Sequence, residues 1–208
     1  MLASSSEFPE KSYMEIILIR HGPPGFDSSR WLHNSDLGQL LAEYKGSRVV
    51  SPAPAELLGM LFAFTDKKVC CSELPRCVDS AAALGFSGAA RISELNEADL
   101  PSPSWLQLPI PYRLAIVGLR LAWFLGYSGG VESYQSTQKR AGVAADKLIE
   151  IASVNGSVLV VGHGIMNRLV SRRLRKLGWD ADSRDRSGYW SATRLTVFLS
   201  NGVNGADG

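Results

Sequence analysis

The sequence predicts an α/β fold: a single-domain three-layer α/β/α sandwich with a mostly parallel central sheet and a helical or irregular cap insertion. Two continuous aliphatic runs, 16–19 and 158–161, are typical of strands that are buried on both faces of a parallel sheet. Segments with helical spacing of apolar residues alternate with these and other short strands, as in a sheet covered by helices. A length of 208 residues suits one domain with a large core.

Turn and capping residues divide the first hundred positions into short elements. Residues 1–13 are rich in serine and predict a flexible leader before a domain over 14–200. The predicted elements are, in order, a strand over 16–19, helices over 37–44 and 55–64, a strand over 69–72, a helix over 77–84 and a strand over 90–95.

A change of composition marks the cap insertion at about 100–130, which is rich in proline and aromatic residues and closes at Gly129-Gly130. Its apolar stretch 114–127 predicts a buried or cap helix. The elements predicted after it are a helix over 132–152, a strand over 157–161, a helix over 165–177 and a strand over 194–199, and residues 201–208 predict a disordered tail.

Composition excludes several classes of protein. The formal net charge of +2 gives no strong field for nucleic acid or an anionic membrane, and we expect neither as a partner. The N-terminus lacks the basic and apolar regions of a signal peptide, and 114–127 is shorter than a membrane-spanning helix. Cys70, Cys71 and Cys77 show no metal-ligand spacing, which predicts buried free thiols, no metal site and a cytoplasmic location.

Two His-Gly pairs follow the two aliphatic strands, as Arg20-His21-Gly22 and as Gly162-His163-Gly164. Parallel strands end at the same edge of a sheet, so both imidazoles are expected at one ligand-binding edge. Gly22 and Gly164 would let backbone N–H groups come close to a ligand there.

Arginine residues give this edge a preference for anions. Arg20 and Arg76 both follow strands, and two guanidinium groups with two imidazoles suit a dianion such as phosphate. Arg20 and Arg76 would keep His21 neutral, and a neutral imidazole is a competent nucleophile on phosphorus. The leaving oxygen would then need a proton donor, for which Glu97 is the best placed carboxylate, with Asp99 and Glu94 as rivals.

The order of these motifs resembles that of the histidine phosphatase superfamily, the phosphoglycerate mutase-like branch 1. The resemblance spans 18 to about 170 and rests on five segments: Leu18-Ile19-Arg20-His21-Gly22, Ser72-Glu73-Leu74-Pro75-Arg76, Glu94-Leu95-Asn96-Glu97, Gly130-Val131-Glu132-Ser133 and Val160-Val161-Gly162-His163-Gly164. It implies that His21 becomes phosphorylated, that Arg20, Arg76 and His163 hold the phosphoryl oxygens and that Glu97 is the proton donor. It implies no metal and no other cofactor.

Two departures from the family pattern narrow the function that the resemblance implies. Residues 23–28 contain no asparagine to act as a further phosphate ligand, and the segment after Glu97 lacks the Gly-x-x-Glu-Gly continuation of the mutases. We therefore expect a metal-independent phosphatase that acts on a phosphorylated small molecule or a phosphoprotein. A phosphoglycerate mutase and a non-catalytic phosphate-binding or scaffolding protein of the same fold are the alternatives. Specificity is expected to lie in 100–130, whose aromatic residues predict a partly apolar pocket wall.

Overall fold

The computed structural model describes residues 13–32, 37–62, 67–103, 109–182 and 188–199, so the predicted tail and almost all of the predicted leader lie outside it. The strands are β1 (Tyr13–Arg20), β2 (Trp31–Leu32), β3 (Lys68–Cys71), β4 (Ala90–Arg91), β5 (Ile110–Pro111), β6 (Ser157–Gly162), β7 (Asp180–Ala181) and β8 (Ala192–Phe198). The helices are α1 (Leu37–Gly46), α2 (Ala55–Leu61), α3 (Pro75–Ala83), α4 (Tyr112–Phe124), α5 (Tyr134–Asn155) and α6 (Gly164–Lys176).

The central sheet has six strands in the order β4-β3-β6-β1-β8-β7. Strands β4, β3, β6 and β1 run parallel to one another, while β8 is antiparallel to both β1 and β7. The predicted mostly parallel sheet is therefore confirmed. In the register of the β1–β6 pair, Arg20 lies opposite Gly162, which brings the two His-Gly turns side by side.

Alternate residues of β1 enter two different cores, as expected for a strand covered on both faces. Ile16 and Leu18 pack with α5 and α6, whereas Ile17 and Ile19 pack with α2 and α3. The consecutive thiols of β3 divide in the same way, and all three cysteines are buried and free. This arrangement confirms the three-layer α/β/α sandwich.

The segment predicted as a cap insertion, 100–130, packs against an earlier part of the chain. Strand β2 pairs with β5, and a third apolar cluster joins α1 to α4. Its buried members are Leu32, Leu37, Leu40, Tyr112, Ala115 and Leu119. The helix over 37–46 therefore packs with the predicted cap segment, which its local pattern did not indicate.

Several boundaries differ from the prediction for local reasons. Helix α3 begins at Pro75, where the fixed φ of proline suits a first helical position, so Arg76 lies inside the helix and not in a preceding loop. Only residues 90–91 of the strand predicted over 90–95 pair with β3, and Ser93–Leu95 form a 3-10 turn. Helix α4 lies on the surface, with Leu114 65% exposed. Among the described residues, no helix is long and apolar enough to cross a membrane.

Candidate active site

His21 lies at the carboxyl end of β1 and is only 2% exposed. Its backbone N–H donates to the carbonyl of Gly162, which continues the β1–β6 ladder one residue beyond the strand. This pairing sets the His21 and His163 rings 5.1 Å apart, centroid to centroid. The structure thus brings together two imidazoles that are distant in sequence.

The hydrogen bonds of His21 define its tautomer. Nδ1 lies 2.7 Å from the carbonyl oxygen of Gly22, so Nδ1 carries the proton and donates it to that oxygen. Nε2 then holds the lone pair and accepts from Nε of Arg76 at 3.3 Å. The pKa of His21 is lowered to about 3, mainly by burial and also by the Arg76 and Arg20 charges, against the opposing Gly22 hydrogen bond. At neutral pH, His21 is therefore a neutral base with a lone pair on Nε2.

Arg76 is buried in the first turn of α3, and its side chain contacts both His21 and helix α1. Its Nη1 donates to the carbonyls of Tyr44 at 3.4 Å and Lys45 at 3.1 Å, near the carboxyl end of α1. Its guanidinium carbon lies 4.8 Å from the centre of the Tyr44 ring. The Arg20 guanidinium stacks in the same manner on Tyr189, at 4.4 Å, and the Tyr189 ring lies 5.5 Å from His21. The two arginines and two tyrosines enclose the His21 imidazole.

His163 is fully buried, and its Nε2 lies 2.8 Å from the hydroxyl oxygen of Ser72. Because Ser72 donates its own hydrogen to the Asn96 side-chain oxygen at 2.8 Å, its hydroxyl oxygen accepts from His163 Nε2–H. Burial holds the pKa of His163 well below its usual value, with further lowering by Arg76 and His21. His163 is thus also neutral, and it donates its one N–H to Ser72.

Glu97 lies at the amino end of α6, where helix N–H groups have no partner within the helix. Its carboxylate accepts from the backbone N–H of Ile165 at 3.3 Å and of Met166 at 3.2 Å. Its negative charge raises the pKa of Tyr44, although burial is the larger cause. Glu97 is therefore fixed at the start of α6, at N–H groups two and three residues after His163 in the chain.

The two rival carboxylates are held elsewhere. Asp99 forms an exposed ion pair with Lys45 at 2.9 Å, and Glu94 pairs with Lys147 at 2.7 Å. Of the three carboxylates, Glu97 is the one that binds the amino end of α6, which follows His163 directly.

Gly22 differs from expectation, whereas the expected role of the Gly164 N–H stays a prediction. The Gly22 N–H donates to the Ser80 hydroxyl at 2.9 Å and is not directed at a ligand. Glycine is needed there because a Cβ would collide with the indole ring of Trp190. At Gly164, the first residue of α6, a Cβ would lie 3.4 Å from Nε of Arg20, so the missing side chain makes room for that guanidinium.

The loop after Gly22 supplies no replacement for the missing asparagine among its polar side chains. Asp27 accepts from the backbone and hydroxyl of Ser29, and Ser28 accepts from Arg113 at 3.0 Å. The loop instead places Phe26 against the rings of Tyr44 and Tyr112, at 5.5 Å and 5.0 Å. Tyr44 also stacks on Arg76, while Phe26 and Tyr112 pack in the apolar cluster of α1 and α4. The three rings form an aromatic wall beside Arg76, and Tyr112 comes from the 100–130 segment. Trp105, a further aromatic residue of that segment, lies outside the described residues.

Sequence reasoning missed two arginines that support the Glu97 segment. Nη1 of Arg140 on α5 donates to the carbonyls of Glu94 at 2.9 Å and Asn96 at 2.7 Å, and its Nη2 binds Glu132 at 2.7 Å. Arg120 on α4 donates to the carbonyl of Ala98 at 3.1 Å. The position of Arg120 within an apolar stretch was a usable signal, because an isolated charge in such a helix requires a buried partner. Arg140 gave no such signal.

Comparisons with solved structures find the same fold. The product of the open reading frame Rv3214 from Mycobacterium tuberculosis is 22% identical, with a TM-score of 0.61 and coverage of 89% of this chain and 95% of that one. A mycobacterial glucosyl-3-phosphoglycerate phosphatase is 17% identical, with a TM-score of 0.58 and coverage of 88% and 90%. A phosphoglycerate mutase from Thermus thermophilus is 22% identical, with a TM-score of 0.52 and coverage of 90% and 99%.

The sequence itself gives the family. A comparison with curated protein sequences gave no match. The family model of the histidine phosphatase superfamily (branch 1) matches residues 16–201, which is most of the chain. The chain therefore belongs to the histidine phosphatase superfamily, branch 1.

Proposed function

We propose that this chain is a metal-independent phosphatase that hydrolyses phosphomonoesters through a phosphohistidine at His21. The observation that carries the proposal is the state of the His21 ring: buried, neutral, with its proton fixed on Nδ1 and its Nε2 lone pair beside Arg76. A nucleophile that needs no deprotonation at neutral pH suits attack on phosphorus.

In the first step, the Nε2 lone pair forms a bond to phosphorus while the ester P–O bond breaks. The Arg20 and Arg76 guanidinium groups neutralise the phosphoryl oxygens, which is most of what a loose phosphoryl transition state requires. The entering phosphate replaces Nε2 as the acceptor for Arg76 Nε. The Gly22 carbonyl, 2.7 Å from Nδ1, stabilises the positive charge that develops on the imidazole ring.

Glu97 completes the proton transfers. In its protonated form it gives a proton to the leaving oxygen, and the resulting carboxylate then takes one from the water that attacks phosphorus. The P–N bond breaks in this second step, which releases inorganic phosphate and restores the neutral ring. His163 donates to a phosphoryl oxygen. A bound dianion raises the pKa of His163, so that it can gain a second N–H while Ser72 keeps the first.

The test is a panel of phosphomonoesters assayed with the wild type and His21→Ala. We expect hydrolysis by the wild type and loss of turnover in the variant by a factor of about 10³ or more. A ³²P label from substrate should appear on the wild-type protein as an acid-labile adduct, and it should be absent from His21→Ala. Normal turnover by His21→Ala would refute the proposal, and phosphoglycerate interconversion without net hydrolysis would favour the mutase instead.

The proposed substrates are phosphorylated small molecules or phosphoproteins, and the proposed location is the cytoplasm. The three buried free thiols support a reducing compartment, where structural disulfides are rare. The aromatic wall of Phe26, Tyr44 and Tyr112 supports a substrate with an apolar group next to its phosphate.

A further inference from the structure

A large groove runs along α6, outside the enclosed His21 pocket. Its volume is about 1140 Å³, and it lies between α6 and the strands β1, β7 and β8. Small-molecule sites usually measure about 300–1000 Å³, so this groove, which we call the α6 groove, has room for a longer ligand.

The α6 groove is strongly basic. Among the described residues, five basic side chains line it, Arg20, Arg168, Arg172, Arg175 and Lys176, against the two carboxylates of Glu97 and Asp182. These described lining residues carry a net charge of +3. A positive cleft of this kind attracts anionic ligands and concentrates them.

Three arginines of the groove, Arg168, Arg172 and Arg175, lie on one face of α6 and are exposed. Arg168, Arg172 and Arg175 follow one another at spacings of four and three residues, which aligns them along the helix. Within the described part of the chain, none of the three forms an ion pair with a carboxylate, although Arg172 donates to the Tyr134 hydroxyl at 3.3 Å. Arg173, on the other side of the same helix, instead lies 3.8 Å from Asp146.

The head of the groove meets the candidate active site. Arg20, Glu97 and Gly164 line both, and the Glu97 carboxylate is bound to N–H groups at the start of α6. A ligand that lies along α6 therefore ends beside the proposed proton donor. The groove also has apolar and hydroxyl-bearing surfaces, at Leu18, Ile165, Ser171 and Thr193, which a peptide chain can contact and a bare chain of phosphates cannot use as fully.

We propose that the α6 groove docks an acidic peptide segment of a phosphoprotein substrate, whose phosphorylated residue reaches His21. This inference rests on the proposed phosphatase function and specifies its substrate class. Clusters of arginine are the usual recognition surface for acidic and phosphorylated peptides. The aspartate and glutamate side chains of the segment pair with Arg168, Arg172 and Arg175, and the phosphate is delivered to Arg20 and Arg76.

The first experiment measures binding without catalysis. Fluorescence anisotropy follows a labelled peptide rich in aspartate and glutamate, without phosphate, on the wild type and on Arg172→Glu/Arg175→Glu. We expect the double variant to bind at least about tenfold more weakly, and wild-type binding to weaken as salt is raised. Arg173→Glu, which reverses a charge on the same helix outside the groove, is the matched control and should bind as the wild type does.

The second experiment compares turnover of an acidic phosphopeptide, of the same peptide with neutral flanking residues, and of 4-nitrophenyl phosphate. The wild type should show a KM about tenfold lower for the acidic phosphopeptide, and the double variant should lose only this advantage. Equal peptide binding by the double variant and the wild type would overturn the groove proposal, as would tighter binding of inorganic polyphosphate than of the peptide. Absence of 4-nitrophenyl phosphate hydrolysis by the wild type would refute the proposed function instead.

Discussion

Arg140→Met tests whether Glu97 depends on the guanidinium that supports its segment. Arg140 donates to the carbonyls on both sides of the Leu95 position, at Glu94 and Asn96, and it is held by Glu132. Its side chain is 22% exposed, so each lost charge-assisted bond falls at the lower end of about 1.5–3 kcal/mol. We expect the free energy of unfolding to fall by about 2–4 kcal/mol, since methionine fills the space but donates nothing.

The effect on activity should depend on the leaving group. A shift of Glu97 by about 1 Å costs on the order of 10²-fold in rate where a proton must be delivered. An alkyl phosphate needs that proton, so its kcat/KM, which reports formation of the phosphohistidine and not its later hydrolysis, should fall about 100-fold in Arg140→Met. The kcat/KM for 4-nitrophenyl phosphate should change by less than about threefold, because 4-nitrophenolate leaves without protonation.

The control for this prediction is Arg173→Met, which removes an exposed arginine paired with Asp146 and should leave stability and both rates nearly unchanged. The assay is kcat/KM for both substrates on folded protein, with urea unfolding to measure stability. Equal losses on the two substrates would refute the reasoning, because they would show that Arg140 supports the fold without positioning Glu97.

Two further predictions concern stability. The pKa values of His21 and His163 are lowered on folding, so the unfolded chain binds more protons than the folded protein below about pH 6.5. The free energy of unfolding should therefore fall as pH drops from 6.5 towards 3, by up to about 1.4 kcal/mol per pH unit for each histidine. In urea unfolding, His21→Asn should show about half the pH dependence of the wild type, because one of the two histidines is gone. Gly22→Ala makes a methyl group collide with the Trp190 indole, and it should lower the free energy of unfolding, measured by thermal unfolding, by about 1–3 kcal/mol. Gly59→Ala, in open space on α2, should be neutral or stabilising, and equal behaviour of the two alanine variants would contradict this account.

The parts of the molecule that the sequence predicts well have a local signal. The aliphatic run 16–19 predicts a buried strand, and the structure gives β1 with Ile16 to Ile19 almost fully buried. The two His-Gly turns meet because parallel strands end together, a rule that needs no coordinates. The sequence also favours Glu97 over Asp99 and Glu94, and the structure adds the ion pairs that hold the other two.

The parts that the sequence does not predict depend on contacts between distant segments. A two-residue strand such as β2 has no periodicity, so its pairing with β5 is invisible before folding. Likewise, the amphipathic pattern of α1 shows that one face is buried but not that α4 covers it. Arg140 acts through backbone carbonyls, which carry no residue-type signature, and its role therefore cannot be read from its neighbours in sequence.

The position of β1 between β6 and β8 has a consequence for synthesis of the protein. Both neighbours of this early strand come from the last quarter of the chain. A ribosome therefore releases β1 long before either edge can be paired, and its apolar face and open backbone groups must be kept from aggregating during that interval. The imidazoles of His21 and His163 meet only when β6 docks, so the candidate site forms only after most of the chain has been synthesised. Such a dependence on distant pairing favours slow folding and a need for chaperones.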